Sequence, residues 1–404
     1  MTGRSDRLAR TSDGSTIEHT ALASARRLHR WLVEHDYAAY DPFDGLSSWA
    51  RPLARGRFAR QALQKSVRMA PVNLRPLLGV RPARSTKALG YCARAYLKLE
   101  RLEPGAGYGS HAVRALEWLL DNASPGYSGL AWGNHFEYQS RLFYLPQGEP
   151  TVVWTALIGH AFVDAYEALG EARWLDAARS VRAFIMHDLE RRDLGAGVCI
   201  SYVPSGFTAV HNSNVLAAGF LARVAAHTDD REALDVARDA VDYTVGCQRP
   251  DGSWWYGEAQ DRHWVDSFHT GYVLDSLWWY MLGSGDDRHA ESFVRGARYF
   301  VESFFAEDGL PKYYRDRWWP ADIQCASQGI ESLALLARLL DPGLLAMAER
   351  VAEWTVARMQ QPDGHFAYQI WPGMVVNRTP MLHWGQATML HALASLVMEE
   401  RGES

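Results

Sequence analysis

The chain has 404 residues, 48% of them hydrophobic and 22% charged, and it carries a formal net charge of −5. That balance is typical of a folded globular protein, and it excludes an intrinsically disordered or strongly basic chain. No run of about 20 uncharged apolar residues predicts a membrane-spanning helix, and the polar stretch 1–15 has no secretory apolar core. We therefore expect a cytoplasmic location and a flexible segment over 1–15.

The first predicted helix covers 16–35. Its apolar face is formed by Ala23, Leu28, Trp31 and Leu32. Spacing of this kind is typical of a helix that buries one stripe against a partner. Since the last apolar segment of the chain has no later partner, we expect the helix at 16–35 to pack there.

A basic segment follows at about 51–87. It contains ten Lys and Arg residues and no Asp or Glu, so the rest of the chain carries about −15. Such a segment suits a membrane surface, a lipid-linked glycan or another anionic polymer. Alternatively, it pairs with acidic outer helices. Its one aromatic residue is Phe58, which argues against nucleic acid as the partner.

Five helix-sized segments after residue 150 are apolar on nearly every face. They are 151–170, 212–228, 266–282, 324–340 and 381–398, and amphipathic segments lie between them at 172–191, 231–248, 288–305 and 343–360. A helix that is apolar all round must be buried on all sides. The pattern therefore predicts an inner layer of helices with an outer layer around it.

Each inner helix and its outer partner make one helical hairpin, and such repeats complete a core by stacking on their neighbours. An earlier pair at 84–99 and 111–122 fits the same scheme, and the helix at 16–35 supplies a sixth hairpin. We predict an all-α protein with an (α/α)6 toroid fold, also called a six-hairpin barrel. It would form one domain over 16–404, with the basic segment as an insertion and short extended segments at the rim.

An Asp-Gly turn recurs between outer and inner helices. Gln248-Arg-Pro-Asp-Gly-Ser-Trp254 resembles Gln360-Gln-Pro-Asp-Gly-His-Phe366, and a fainter copy lies at 307–313. Pro ends the preceding helix, Asp-Gly supplies a left-handed turn, and the following aromatic residue covers the hairpin. We interpret these repeats as structural.

The four cysteines are far apart in sequence and lack the spacing of metal ligands. They are Cys92, Cys199, Cys247 and Cys325. We expect buried free thiols, no metal site and no cofactor.

Inner helices of a toroid run parallel, so the loops before them open on one face, which we call the mouth. Positive helix ends meet there and favour a substrate with negative charge. Aromatic rings beside amides and guanidinium groups are typical of sugar binding. The predicted substrate-binding residues are Trp132, Tyr138, Arg141, Asn212, Asn214, Trp264, Gln324, Gln328, Arg378, His383 and Trp384.

Glycoside hydrolysis needs two carboxylates, one to protonate the leaving oxygen and one to activate water or attack the sugar. We predict Asp266 and Asp322 for these roles, with Glu137 as the competing acid. Both aspartates also stand where the N-cap of a helix is expected.

A uronate lyase or epimerase would use other residues of the same loops. His211, His269 or Tyr138 would move the proton. Arg378 would then neutralise the carboxylate of the substrate.

Gln-x-x-Asp-Gly-Ser-Trp at 248–254 resembles the repeat of the squalene and oxidosqualene cyclase superfamily. That resemblance implies an α/α toroid. The superfamily's Asp-x-Asp-Asp motif for protonating an alkene is missing here, as are the zinc ligands of its protein prenyltransferase branch. Cyclase or transferase activity is therefore a minor alternative, and it would require an apolar tunnel.

Four further motifs resemble a family of toroid proteins encoded with bacterial polysaccharide-biosynthesis genes. They are Tyr40-Asp-Pro-Phe-Asp-Gly-Leu46, the stretch at 70–79, Trp132-Gly-Asn-His-Phe-Glu-Tyr-Gln139 with 149–151, and His383-Trp-Gly-Gln-Ala387. The last motif is also similar to a stretch in unsaturated glucuronyl hydrolases and other six-hairpin glycosidases. These resemblances imply a carbohydrate context.

We therefore expect a carbohydrate-active enzyme, similar to glycoside hydrolases, that acts on an anionic oligosaccharide or polysaccharide. The substrate would contain uronate or be linked to a lipid. A lyase or epimerase is the first alternative. A toroid that binds a glycan or a partner protein without chemistry is the second, and a location at the membrane periphery is the alternative to the cytoplasm.

Overall fold

The computed structural model describes the backbone of residues 13–403 and the side chains of residues 20–403. Thirteen α-helices follow one another in this part of the chain: α1 (Asp13–Glu34), α2 (Arg57–Met69), α3 (Thr86–Leu102), α4 (Tyr108–Asp121), α5 (Val152–Leu169), α6 (Ala172–His187), α7 (His211–Thr228), α8 (Arg231–Gly246), α9 (Ser267–Ser284), α10 (Ala290–Phe304), α11 (Ile323–Leu339), α12 (Leu344–Met359) and α13 (Ala387–Arg401). The predicted flexible segment 1–15 lies almost wholly outside the described residues.

The helices form an (α/α)6 toroid, as the sequence predicts. Helices α3, α5, α7, α9, α11 and α13 contact one another in that order, and α13 returns to α3, so they make a closed inner ring. Each of α4, α6, α8, α10 and α12 packs on the inner helix before it. Helix α1 packs on α13 and α12 and completes the sixth hairpin.

Burial differs between the two layers as the hydrophobic pattern requires. In inner helix α7, every residue from His211 to Ala225 is buried. Outer helix α8 buries Ala233, Ala237 and Ala240 on one stripe. An inner helix has neighbours on all sides, whereas an outer helix has solvent on one side.

Seven short strands lie in the connections that precede inner helices: β1 (Tyr138–Gln139), β2 (Tyr144–Leu145), β3 (Arg191–Asp193), β4 (Val198–Ile200), β5 (Ala321–Asp322), β6 (Gln369–Trp371) and β7 (Val375–Asn377). Strand β6 pairs antiparallel with both β5 and β7, and Gln369 lies opposite Asp322 and Asn377. These strands are the predicted extended segments at the rim. The connections on the opposite face are short, as at 170–171 and 229–230.

The Asp-Gly repeats are turns. Gly252, Gly309 and Gly364 all have positive φ, between 89° and 108°. After the first turn, the buried Trp254 donates its indole N–H to the carbonyl of Thr244 at 2.8 Å and so ties the turn to α8. This geometry matches the structural role inferred from the sequence.

The four cysteines form no disulfide within the described residues. Cys92, Cys199 and Cys325 are buried free thiols, and Cys247 is partly exposed. Among the described residues, no helix combines the length and the apolar character needed to cross a membrane.

Candidate active site

The segment between α1 and α3 covers the mouth of the toroid. Helix α2 in this segment packs on β1 and on a 3-10 turn at Asp44–Ser47. Arg68 of α2 donates to the hydroxyl of Tyr368 at 2.9 Å and lies over the ring of Phe43. Several arginines of the basic segment therefore point into the protein, although the sequence pattern alone suits an exposed basic patch equally well.

An Asp–His pair is buried beneath this cover. Asp41 Oδ2 contacts His383 Nδ1, and the two residues are 2% and 0% exposed. Burial lowers the pKa of His383, and the adjacent Asp41 opposes that shift without reversing it. Both ring nitrogens of His383 are buried; Nδ1 contacts Asp41 Oδ2 without the geometry of a hydrogen bond, and Nε2 has no hydrogen-bond partner. With the proton of the neutral imidazole on Nδ1, facing Asp41, Nε2 has a free electron pair.

The position of Asp41 depends on a second buried pair. Arg75 donates to Asp44 Oδ1 at 2.7 Å and to the carbonyl of Asp41 at 2.7 Å. Asp44 Oδ2 accepts the backbone N–H of Asp41 at 3.0 Å. The motif Asp-Pro-Phe-Asp thus folds into a loop that Arg75 stabilises through hydrogen bonds to both aspartates. Loss of Arg75 would leave the buried carboxylate of Asp44 unpaired.

His383 lies in a π-helical turn at Leu382–Gln386, directly before α13. Such turns are frequent at functional sites because they redirect side chains. The backbone of this turn is held by Leu382, which donates to the carbonyl of Tyr40 at 2.8 Å. Gln386 fixes its far end through two hydrogen bonds with the backbone of Phe366, both 2.8 Å long. The turn and the Asp41 loop therefore hold each other in place.

Lys87 and His135 lie beside the Asp41–His383 pair. Lys87, at the start of α3, is 3% exposed, and its Nζ lies 3.4 Å from the hydroxyl of Tyr272 and 5.0 Å from the ring centre of Trp154. Burial lowers the pKa of Lys87 to about 8, with Asp41 acting in the opposite direction. Burial also lowers the pKa of His135, again opposed by Asp41.

A glycine positions His135. A Cβ on Gly133 would lie 2.2 Å from the carbonyl oxygen of Glu149, so no side chain fits at that position. The backbone of Gly133 bridges to Pro150, directly before α5. The motif Trp-Gly-Asn-His therefore passes tightly over the start of α5 and brings His135 to the mouth.

Asp266, the first predicted acid, is the N-cap of α9. Its Oδ1 accepts the backbone N–H of His269 at 3.0 Å. Its Oδ2 contacts His269 Nδ1 at 2.7 Å and accepts the indole N–H of Trp264 at 3.2 Å. Both oxygens are therefore engaged within the wall of the mouth.

Asp322, the second predicted acid, is the N-cap of α11. Its Oδ1 accepts from the backbone of Gln324 at 2.9 Å and from the indole of Trp384 at 3.0 Å, and its Oδ2 accepts from Gln369 at 2.6 Å. The residue is fully buried, and burial raises its pKa although these hydrogen bonds oppose the shift.

Glu137, Tyr138 and Arg141 lie on the rim. Glu137 accepts the hydroxyl of Tyr144 and pairs with Arg51, both at 2.7 Å. Although burial acts against it, these contacts lower the pKa of Glu137. Burial raises the pKa of Tyr138, and the Arg141 guanidinium stacks over Trp264.

His211 and Asn214 of α7 face the outer layer rather than the axis. Asn214 donates to the carbonyl of Ala240 on α8 at 2.8 Å. His211 Nε2 contacts Glu258 at 2.8 Å, and these two residues and Cys247 bring three potential metal ligands within 4.8 Å of one another. Burial raises the pKa of Cys247 to about 11, so its thiol is protonated when no metal is bound.

The remaining predicted residues are dispersed. Trp132 is fully buried and donates to the carbonyl of Leu119 at 2.9 Å, and Arg378 bonds Gln361 near the surface at 3.1 Å. Gln324 donates to the Tyr272 hydroxyl at 3.2 Å, and Gln328 donates to Asp275 at 2.6 Å, deeper along the axis. Asn212 lines a cavity of about 10 Å³ beside Trp264 and Asp266, which is about the volume that one water needs.

Asp41, Lys87 and His135 were not among the site residues selected from the sequence, and His383 was predicted to bind substrate. The available signal was the joint presence of Tyr40-Asp-Pro-Phe-Asp-Gly and His383-Trp-Gly-Gln, since each motif supplies one half of the buried pair.

Comparisons with known proteins concern the fold. No protein-family model and no curated protein matches the sequence. An unsaturated glucuronyl hydrolase specific for heparin is similar in structure, with 13% identity, a TM-score of 0.62, and coverage of 95% of this chain and 97% of that one. A cellobiose 2-epimerase from Bacillus thermoamylovorans has 12% identity and a TM-score of 0.61 over 79% of this chain and 88% of that one.

A family 76 mannosidase from Bacteroides thetaiotaomicron is similar over 95% of this chain and 100% of that one, with 14% identity and a TM-score of 0.60. These proteins are carbohydrate-active enzymes with different reactions. The chain therefore has the six-hairpin toroid fold of these sugar-processing enzymes.

Proposed function

We propose that the chain is a carbohydrate-processing enzyme that transfers a proton on a uronate-containing oligosaccharide, as a lyase or an epimerase does. One observation carries this proposal: the buried, neutral His383 has a free Nε2, while its Nδ1 pairs with Asp41. This is the arrangement of an oriented general base. The substrate class is supported by the sugar-active structural neighbours.

The reaction would begin at the carbon beside the uronate carboxylate. His383 Nε2 takes the proton, the C–H bond breaks, and its electron pair moves onto the carboxylate. Lys87, protonated at neutral pH, stabilises that charge. Return of a proton from the phenol of Tyr138, whose pKa burial raises, to the other face of that carbon gives epimerisation. Departure of the 4-linked sugar with its bonding electrons, protonated by Tyr138, gives an unsaturated product instead.

Hydrolysis by Asp266 and Asp322 is the second candidate. One observation favours it: the raised pKa of Asp322 suits a general acid. Against it, the oxygens of both carboxylates already accept hydrogen bonds from the protein. An isoprenoid cyclase fits less well, because Lys87 and Arg94 place charges along the axis where an apolar tunnel would be needed.

Mass spectrometry after incubation with uronate oligosaccharides in D2O separates the candidates. We expect deuterium uptake, with an unsaturated product if a sugar leaves. His383→Gln and Asp41→Asn should abolish both, and Asp322→Asn should not. Gain of water that depends on Asp322 would establish hydrolysis instead. Absence of any turnover by the unmodified protein on oligosaccharides that it binds would support a non-catalytic glycan-binding toroid.

We also propose that the basic segment contacts an anionic membrane surface, where a lipid-linked glycan of polysaccharide biosynthesis would be met. Large apolar side chains in and beside it are strongly exposed: Trp49 65%, Leu53 78%, Phe58 80%, Val72 64% and Leu77 78%. Exposed apolar groups among arginines favour the interface of an anionic bilayer. A cytoplasmic, membrane-peripheral location would follow.

Vesicle sedimentation tests this surface. Binding to vesicles that contain 30% phosphatidylglycerol is expected, with much weaker binding to pure phosphatidylcholine. The double variant Leu53→Ser/Phe58→Ser should lose binding, whereas Val294→Ser on the outer helix α10 is the matched control and should retain it. Equal binding of the double variant and the control would refute the contact.

A further inference from the structure

A large cavity lies at the end of the toroid opposite the mouth. Its volume is about 520 Å³, within the range of roughly 300–1,000 Å³ that is typical of small-molecule sites. The last turns of the inner helices line it, and none of the residues predicted from the sequence to bind substrate does so. The mouth cavity beside Asp266, by comparison, has a volume of only about 10 Å³.

Two cationic side chains of α3, Arg94 and Lys98, line this cavity, and each has N–H donors that the protein does not use. Arg94 is 5% exposed, and its Nε donates to Asp164 at 2.7 Å. Its Nη1 is buried and has no hydrogen-bond partner. Lys98, one turn later, donates to Ser395 Oγ at 2.6 Å, and burial lowers its pKa to about 8. An ammonium group has three donors, so Lys98 also has capacity for a ligand.

Five carboxyl side chains line the cavity, and two of them, Asp164 and Asp275, are engaged by hydrogen bonds. Asp164 accepts from both Arg94 and Arg223, at 2.7 and 2.8 Å. Asp275 accepts from Gln328 at 2.6 Å and from Ser332 at 2.9 Å, and burial holds its pKa well above the usual range, so it is neutral. Although burial acts against it, His391, Arg94 and Lys98 lower the pKa of Glu331 to about 2, so this carboxylate also faces the two cations. With Asp275 set aside, four carboxylates (Asp164, Glu167, Glu331 and Glu399) stand against five cationic side chains (Arg94, Lys98, Arg101, Arg223 and Arg338), and this balance favours one further anion.

Aromatic surface completes the site. Trp278 and Trp279 of α9 line the cavity and are partly exposed. Arg94 lies over the ring of Trp279, with 5.3 Å between the guanidinium carbon and the ring centre. An indole face beside charged donors suits the C–H face of a sugar ring that carries an anionic group.

We propose that this cavity binds an anionic monosaccharide, whose carboxylate or phosphate contacts Arg94 and Lys98 and whose ring packs on Trp278. The site is separate from the mouth and does not depend on the reaction proposed there. Sugar acids and sugar phosphates share the required chemistry, and direct titration distinguishes between them.

Isothermal titration calorimetry of the full chain with D-glucuronate, D-glucose 1-phosphate and D-glucose tests the proposal. At least one anion should bind, and D-glucose should bind at least tenfold more weakly. Lys98→Met and Trp278→Ala should each raise the Kd about tenfold or more, as expected for loss of a charge-assisted hydrogen bond or a stacking face. Lys65→Met, an exposed lysine of α2, is the matched control.

His383→Gln locates the ligand, because a change at the mouth should leave binding at the opposite cavity unchanged. Circular dichroism establishes that each variant is folded, and Lys98→Gln, which also removes the charge, replaces Lys98→Met if the latter does not fold. Equal affinity for glucose and the anions, no binding of either anion, or loss of binding in His383→Gln alone would overturn the proposal.

Discussion

The two ends of the toroid axis use their polar side chains differently. At the mouth, Asp266 and Asp322 accept N–H groups from the first turns of α9 and α11. The first four backbone N–H groups of a helix have no partner within the helix. Polar side chains at these ends therefore accept hydrogen bonds from them and act as caps. At the opposite end, Arg94 and Lys98 project from the body of α3 and retain free donors. Polar residues before an inner helix are therefore weak evidence for catalysis.

Replacing His383 should give the largest effect and test whether the mouth is catalytic at all. His383→Gln removes the free basic nitrogen, and kcat should fall by roughly 10²–10⁴, the usual contribution of a general base. The KM should change little, and circular dichroism should show that the variant is folded, although loss of the buried contact with Asp41 should lower its free energy of unfolding. An unchanged kcat would move the chemistry away from this pair.

Arg75→Met should be the most destabilising change near the mouth. It leaves Asp44 buried without its cation, so the free energy of unfolding should fall by about 3–5 kcal/mol. The matched control is Arg84→Met, whose pair with Asp36 is exposed and should contribute at most about 1 kcal/mol. Equal losses in the two variants, measured by urea denaturation, would contradict the positioning role.

The pH profile of kcat/KM should report Lys87. Because the pKa of this residue is about 8, the fraction protonated falls above that pH, and the rate should decline up to tenfold per pH unit. Lys87→Arg should shift the alkaline limb upwards, since a guanidinium keeps its proton. An alkaline limb that stays in place in Lys87→Arg would assign it to another group.

Asp266 should show the smallest effect, that of a cap. Asp266→Ala should lower the free energy of unfolding by about 0.5–2 kcal/mol, and Asp266→Asn should lower it less because the amide oxygen still accepts from His269. Residual activity of Asp266→Asn should remain near that of the unmodified protein. If Asp266→Asn lowered the activity a hundredfold or more, the catalytic role predicted for Asp266 from the sequence would be supported instead.

The fold was largely predictable because burial imposes periodicity. The all-apolar segments 212–228 and 324–340 correspond to inner helices α7 and α11, and the segment 231–248 corresponds to outer helix α8. The short strands were predicted only as short extended segments at the rim, because segments of two or three residues carry no periodic signal.

The site was less predictable, for two physical reasons. Asp41 and His383 are separated by most of the chain, and only ring closure brings them together. Side-chain direction also decides function: Asn214 and His211 start an inner helix yet face α8, as a helix turns 100° per residue. Sequence position placed Asp266 and Asp322 at the mouth and at helix N-caps, but it did not show that side-chain donors, among them Trp264 and Gln369, engage their second oxygens as well.

The packing of α1 on α13 has a consequence for folding. Every other hairpin forms between neighbours in sequence, whereas this seam joins distant residues, as in the hydrogen bond from Ser24 to Gln360 across 336 positions. Contacts of such long range require closure of a very large loop and form late. Since Asp41 and His383 lie beside the same seam, the pair proposed to be catalytic would be assembled only when the ring closes, and partly folded chains would then be inactive.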